Sequence, residues 1–413
     1  MTRPRLPTAL LACETGSGRG HVVTLSGVAQ ALAGRFQCHA ALSRMDHAAT
    51  LSLHCASVRQ APVMARRPDA EVLAARPGQP LGVLPDLGGR SVPWADSWAN
   101  WIGRRGFRNV ERLRAQVRFW QDLIWKTGAS LVVTDYAPSA LLAARALGVA
   151  SVVTGTAIGI APPGMPRFPL MAPLAGGLVL DEDQTAALIS EAVAPLGGPP
   201  LERLAQLYTA TLPLARGFAL WDPYEDWREQ RLLLPLESAP PLAEGRGDVV
   251  FAYLSSTEFA EPGIVEALRR LPLPMVLVAP GLPADQAAAL RAANPNLTIS
   301  PVPLAIPEIV RRARVMLNAG QAGTAAVAML AGIPMLALPQ HNEQAANARG
   351  AARTGAHRVL TRQQRSAEAV LGTLTAMWED SALQGRAQAL ALDLRARTPL
   401  GAVHETRAAL ARF

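Results

Sequence analysis

The chain has 413 residues, half of them apolar and 17% charged, with a formal net charge of +8. That length supports two domains with full cores, and no uninterrupted apolar run reaches the length of a membrane span. Lys126 is the only lysine and the arginines are spread along the chain, so the basic excess reads as coding bias and argues against nucleic acid as a partner.

In chain order, Ala9 to Cys13 reads as a short buried strand, followed by the loop ETGSGRGH and an amphipathic helix with Leu25, Val28 and Leu32 inward. Gly16, Gly18 and Gly20 recur at every second position, which is not the dinucleotide spacing, and no Walker motif occurs. The N-terminal stretch lacks the long apolar run of a signal peptide. Cys13, Cys38 and Cys55 have no metal-ligand spacing, which favours a reduced, cytoplasmic setting. Trp94, Trp98 and Trp101 lie at helical spacing, and a second helix over about 107–126 puts Val110, Leu113, Val117 and Trp120 on one stripe. Such aromatics form core, line a wide apolar pocket, or rest on a membrane surface, on its inner face for a cytoplasmic protein. Ser130 to Asp135 is a buried strand ending in a carboxylate, and Ser151 to Thr154 is the next strand.

Residues 155–227 are punctuated by prolines, with helical segments expected near 183–194 and 199–210. Asp181-Glu182-Asp183 has the form of a D-x-D metal motif but sits where acids start a helix, so no metal is assigned. Residues 236–248, closing a Pro-, Gly- and charge-rich stretch, are the expected linker between a first domain, 1–235, and a second, 249–399. Strands at 249–254, 275–279 and 297–300 alternate with helices, which implies a parallel sheet. Residues 400–413 form a last helical segment expected to return to the first domain.

The most informative stretch is 315–348, VMLNAGQAGTAAVAMLAGIPMLALPQHNEQAANA. A strand runs into a small-residue loop with Gly320, Gln321 and Gly323, and a helix opens at Thr324 and ends at Gly332 and Pro334. A loop of small residues feeding a helix N-terminus leaves backbone N–H groups for phosphate. A second strand, Met335 to Leu338, ends at Pro339 before His341, Asn342, Glu343, Gln344 and Asn347.

Over this stretch the chain resembles family-one, GT-B-fold glycosyltransferases of bacterial type, whose pattern runs H-G-G-x-G-T, an acid one turn on, G-V-P, then P-x-x-x-(D/E)-Q-x-x-N-A. Gly320, Gly323, Thr324, Pro339, Glu343, Gln344, Asn347 and Ala348 match it. The family His falls on Ala319, its second Gly on Gln321 and its ribose-binding Glu on Val327. The resemblance extends to residues 14–32 and 131–156.

It implies an α/β protein with two Rossmann-like domains facing across a cleft, transferring a sugar from a nucleotide-diphosphate donor to an acceptor hydroxyl with inversion. The nucleotide sugar, UDP- or dTDP-linked, is a co-substrate, and no cofactor is implied. By the resemblance His21 is the general base and Asp135 orients it. Ser256, Gly320, Gly323 and Thr324 meet the donor phosphates, Gln321 also contacts the donor, and Glu343 and Gln344 meet the sugar. Trp94, Trp98 and Trp101 face a hydrophobic or lipid-like acceptor, with a membrane surface as the other fit. A nucleotide-sugar epimerase of the same fold, or a degenerate binding protein that has lost the donor contacts at Ala319 and Val327, are the readings from other classes.

Overall fold

A computed structural model describes residues 6–15, 20–64, 97–169, 181–255, 257–397 and 402–413. Trp94 and Ser256 lie outside the described residues. The chain divides into two compact units: the first holds the described residues of 1–217, 223–233 and 402–413, the second those of 218–222 and 234–401.

The first unit is built on six strands: β1 (Thr8–Cys13), β2 (Gln37–Leu42), β3 (Ser57–Gln60), β4 (Ala129–Asp135), β5 (Ala150–Thr156) and β6 (Leu212–Arg216). They form one parallel sheet in the order β3-β2-β1-β4-β5-β6. The central runs, such as Ala9 to Cys13 and Leu131 to Val133, are short, apolar and buried, as strands covered by crossover helices must be. Helix Gly20–Leu32 crosses from β1 to β2 and buries Val22, Leu25, Val28 and Leu32. Helix Val110–Thr127 precedes β4; Asn109 caps it through the Arg112 N–H at 2.9 Å, and Gly128 at φ +63° ends it. The last helix, Ala402–Ala409, packs on helix Gly20–Leu32, and the buried Leu410 joins the same core. Arg35 ties it down by donating to the Leu410 and Ala411 carbonyls at 3.1 and 3.2 Å.

The second unit repeats the plan with β7 (Val249–Tyr253), β8 (Met275–Val278), β9 (Leu297–Ser300), β10 (Ala313–Asn318), β11 (Met335–Ala337) and β12 (Arg358–Val359), ordered β12-β11-β10-β7-β8-β9. Numbered within its own unit, each sheet reads 3-2-1-4-5-6, the doubly wound order that binds ligands at the carboxyl ends of its strands.

Residues 236–248, the expected linker, pack on the second unit. The Ala243 N–H donates to the Ala331 carbonyl at 2.9 Å, and a Cβ on Gly247 would lie 2.1 Å from the Arg312 carbonyl oxygen. The helix expected near 199–210 is corrected: the segment holds only a 3-10 turn, Leu204–Tyr208, whose Leu204, Leu207 and Tyr208 are buried in the unit. Asp181 does cap the helix Glu182–Val193, accepting from the Gln184 N–H at 2.9 Å. Among the described residues no helix is long and apolar enough to cross a membrane.

Candidate active site

In the first unit, β1 and β4 lie side by side, so the residues that follow their carboxyl ends meet. His21, in the first turn of helix Gly20–Leu32, places Nδ1 3.1 Å from Asp135 Oδ1 at the end of β4. The imidazole is 20% exposed and the carboxylate 1%. A carboxylate offers only lone pairs, so Nδ1 carries the proton and the lone pair falls on Nε2, the arrangement of an oriented general base.

Two glycines make room for this pair. A Cβ on Gly155, at φ +135° in β5, would stand 2.8 Å from Asp135 Oδ1, and one on Gly159 would stand 2.6 Å from Tyr136 Cζ. Tyr136 has the left-handed φ of +49°, the only non-glycine residue with positive φ among the described residues. Such strain survives where the surroundings over-determine it: the Tyr136 hydroxyl lies 2.8 Å from Thr156 Oγ1, and its ring meets the His21 ring edge-on at 4.7 Å. Gly155→Ala is therefore expected to push Asp135 off His21 and lower turnover at least tenfold without weakening donor binding. Equal turnover by variant and wild type counts against the pair.

Glu14, just past β1, is fully buried and was not anticipated. Its Oε1 accepts from Gln116 Nε2 at 2.8 Å and Trp120 Nε1 at 2.7 Å, and its Oε2 from the Ser139 N–H at 3.0 Å. Helix Pro138–Ala146 has no side-chain cap of its own, and Glu14 supplies one from another part of the chain. Burial pushes the carboxyl up to about 7, against the donors that hold it down. The glutamate opens the ETGSG loop, but its partners lie more than a hundred residues away and leave no local signal.

Trp98 is 4% exposed and donates its indole N–H to the Tyr208 hydroxyl at 2.6 Å. Its ring stacks on Trp101 at 4.5 Å, and both rings meet Tyr136 edge-on. Arg105 covers the Trp101 ring at 4.9 Å. Trp98 is thus core behind the His21 pair rather than a membrane-facing patch, because its ring surface is spent on neighbours. What opens beside His21 is a cavity of about 170 Å³, lined also by Cys13, Thr15, Leu42, Arg44, Asp46 and His47. Arg44 Nε and Asp46 Oδ2 pair across 2.6 Å.

In the second unit, the loop after β10 differs from expectation in detail. Gly320 donates its N–H to Asn318 Oδ1 at 2.6 Å, and the Ala319 N–H goes to Gln321 Oε1 at 3.1 Å. Without a ligand, the Gly320 N–H is thus held by a local side chain. The glycine is required for another reason: at φ +85° its Cβ would stand 2.7 Å from the Gln344 carbonyl oxygen. The helix begins at Ala322, two residues before Thr324, and no side chain caps it. The N–H groups of its first turn, at Ala322, Gly323 and Thr324, are the donors an anion would meet. Asn318 adds a buried side-chain amide whose Nδ2 has no partner among the described residues.

After β11, Gln344 Oε1 accepts from the Gln340 N–H at 2.7 Å and Asn347 Nδ2 donates to the Gly320 carbonyl at 3.0 Å. These two positions of the motif brace the loops. Glu343 lies half-buried in the first turn of helix Asn342–Arg353. Val327 is buried within helix Ala322–Ala331.

No protein-family model matches the chain, and comparison with curated protein sequences finds no match. Comparison with solved structures defines the class of fold: two Rossmann-like α/β units, the fold class of GT-B glycosyltransferases. The calicheamicin glycosyltransferase CalG4 is similar at 17% identity and a TM-score of 0.64, over 98% of this chain and 99% of that one. The glycosyltransferase VinC, in complex with dTDP, is similar at 18% identity and a TM-score of 0.64, over 98% of each chain. The spinosyn rhamnosyltransferase SpnG, complexed with spinosyn aglycone, is similar at 17% identity and a TM-score of 0.63, over 97% and 99%.

Proposed function

We propose that this chain is a glycosyltransferase that moves a sugar from a nucleotide-diphosphate donor to an acceptor hydroxyl, with inversion and without a catalytic metal. The observation that carries the reading is the His21–Asp135 pair at 3.1 Å on this fold. Nε2 of His21 removes the acceptor proton, the oxygen attacks the anomeric carbon, and the nucleoside diphosphate leaves with the bonding pair. Asp135 stabilises the imidazolium as it forms. The N-terminus of helix Ala322–Ala331 meets the charge developing on the diphosphate, in place of a cation. Glu343 and Gln344 hydrogen-bond the sugar hydroxyls. The buried thiols Cys13, Cys38 and Cys55 support a reducing, cytoplasmic setting.

The acceptor side is read from the cavity at His21. At about 170 Å³ it is ring-sized, close to cavities of roughly 150 Å³ that hold benzene. The Arg44–Asp46 pair on its lining offers both a donor and an acceptor, which suits a ring bearing hydroxyls better than a lipid chain.

The donor base and sugar are argued from Val327. Where relatives of the family offer a carboxylate to the ribose, valine accepts no hydrogen bond, a loss of about 1.5–3 kcal/mol for a ribonucleotide. The amide oxygens of Asn318 and Gln321 already accept from the Gly320 and Ala319 N–H groups, which leaves each one further lone pair with which to meet a hydroxyl. A deoxyribose loses less. The VinC and SpnG structures hold dTDP and thymidine diphosphate, which supports the same reading. Calorimetry is expected to give dTDP binding at least as tight as UDP. UDP tighter by more than about tenfold, or ~1.4 kcal/mol, would show that the ribose is still read. Release of dTDP from a dTDP-hexose, accelerated by hydroxylated ring acceptors, tests the transfer itself.

A further inference from the structure

The loops that follow β7, β10 and β11 are fastened to one another by buried side chains, and Arg365 fastens two of them. Its side chain is 2% exposed and that of Glu261 10%. Nη1 donates to Glu261 Oε1 at 3.1 Å and Nη2 to the Pro339 carbonyl at 2.5 Å, with the Leu338 carbonyl 3.5 Å from Nη1. Burial works against the guanidinium charge and Glu261 supports it. The fork of an arginine reaches a carboxylate and a carbonyl at once, which a lysine ammonium at the end of a flexible stem does not reproduce. Gly263 keeps the approach open, since its Cβ would stand 2.5 Å from the Arg365 carbonyl oxygen.

The two ends of this clamp are both loop roots. Pro339 is the last residue before Gln340, whose N–H is held by Gln344, and Glu343 stands in the helical turn that follows. Glu261 closes the turn after β7, where the Glu258 carboxylate accepts from Ser255 Oγ at 2.7 Å and Thr257 Oγ1 at 2.9 Å. Asn347 carries the bracing on to the Gly320 carbonyl. A charge held in the interior, aimed at a carbonyl next to a binding loop, fixes that loop's position more tightly than strand pairing alone, because β11 has only three residues.

We infer that Arg365 is a positioning residue for the donor sugar: it holds the loop after β11 where Glu343 and Gln344 meet the sugar and locks it to the loop after β7. This rests on the reading of the second unit as a nucleotide-sugar site. Two variants test it. Arg365→Lys keeps a charge opposite Glu261 but loses the fork, and the double variant Arg365→Met with Glu261→Met removes both buried charges, leaving only the more exposed Arg362, 3.8 Å from Glu261, without that partner. Hydrogen exchange without ligand is expected to show faster exchange confined to residues 340–347 in both. In calorimetry with dTDP and with whichever of dTDP-glucose and dTDP-rhamnose the wild type binds better, the advantage of the dTDP-hexose over dTDP is expected to fall at least fivefold. Equal losses for dTDP and dTDP-hexose mark a merely structural role and overturn the proposal, as does unchanged exchange at 340–347. A wild type that binds neither dTDP nor UDP overturns the donor reading instead, and the exchange experiment then decides alone whether Arg365 holds the loop.

Discussion

His21→Ala is expected to lower sugar transfer by about 10²–10⁴-fold, the usual loss on removing a general base, while dTDP binding stays at the wild-type value. The imidazole belongs to the first unit and the groups assigned to the diphosphate belong to the second, so the two effects separate. Asp135→Asn is expected to lose a comparable share. Asparagine can accept the Nδ1–H through its oxygen, but it brings no charge to balance the imidazolium, and in its other orientation it favours the wrong tautomer. With Asp135 Oδ2 buried and without a partner among the described residues, little else shares that charge. Single-turnover transfer from a dTDP-hexose, with dTDP calorimetry beside it, is the measurement. Full turnover by His21→Ala would remove the basis of the mechanism.

The second large effect is on stability and comes from His357. This imidazole is buried, neither ring nitrogen has a partner among the described residues, and burial together with the Arg358 charge pushes it down to about 3 from an ordinary 6.5. Its folded pKa is depressed, so the unfolded chain takes up the proton first. The stability it allows is complete above pH ~6.5 and is lost as pH falls toward about 3, on the order of 5 kcal/mol in all. Glu14 has the opposite sign. Its folded pKa is raised, so its contribution is full below its ordinary 4.5 and fades as pH rises through about 7. The two slopes oppose each other between pH 4.5 and 6.5 and are separated by difference. His357→Leu removes a buried N–H that costs about 1–3 kcal/mol unpaired, so it is expected to equal or exceed the wild type in urea midpoint at pH 7. Its advantage should widen at pH 5.5 and again at pH 4.5. An advantage that does not change with pH would assign the acid lability to other groups.

Particular residues show what was legible beforehand. The strand that ends in Asp135 and the loop that ends in His21 are marked by local apolar runs and glycines, and adjacency of β1 and β4 follows from the doubly wound order, so this pair was readable. Tyr136 was not, because its role depends on a left-handed φ and on room left by Gly155 and Gly159 some twenty residues later. Gly320 was found for one reason and is needed for another. Its place in a phosphate-loop pattern drew attention, whereas the close pass of the Gln344 carbonyl is what forbids a side chain there. For residues 236–248 composition reports proline and glycine but not what the backbone lies against; the tight approach of Gly247 to Arg312 belongs to tertiary structure. Trp98 shows the same limit, since a helical aromatic stripe reads alike for core and for surface.

The seating of helix Ala402–Ala409 against helix Gly20–Leu32 has a consequence for synthesis. The rest of the first unit is made by Leu233, yet the piece that completes its core begins at Ala402, roughly 170 residues later. At elongation rates of about 5–20 residues per second, that is an interval of roughly 8 to 35 seconds. For that time the groove that will receive Leu410 is open, and the whole of the second unit is made and able to fold. Nascent chains stalled within the second unit therefore carry a first unit with an exposed apolar groove until the last helix closes it.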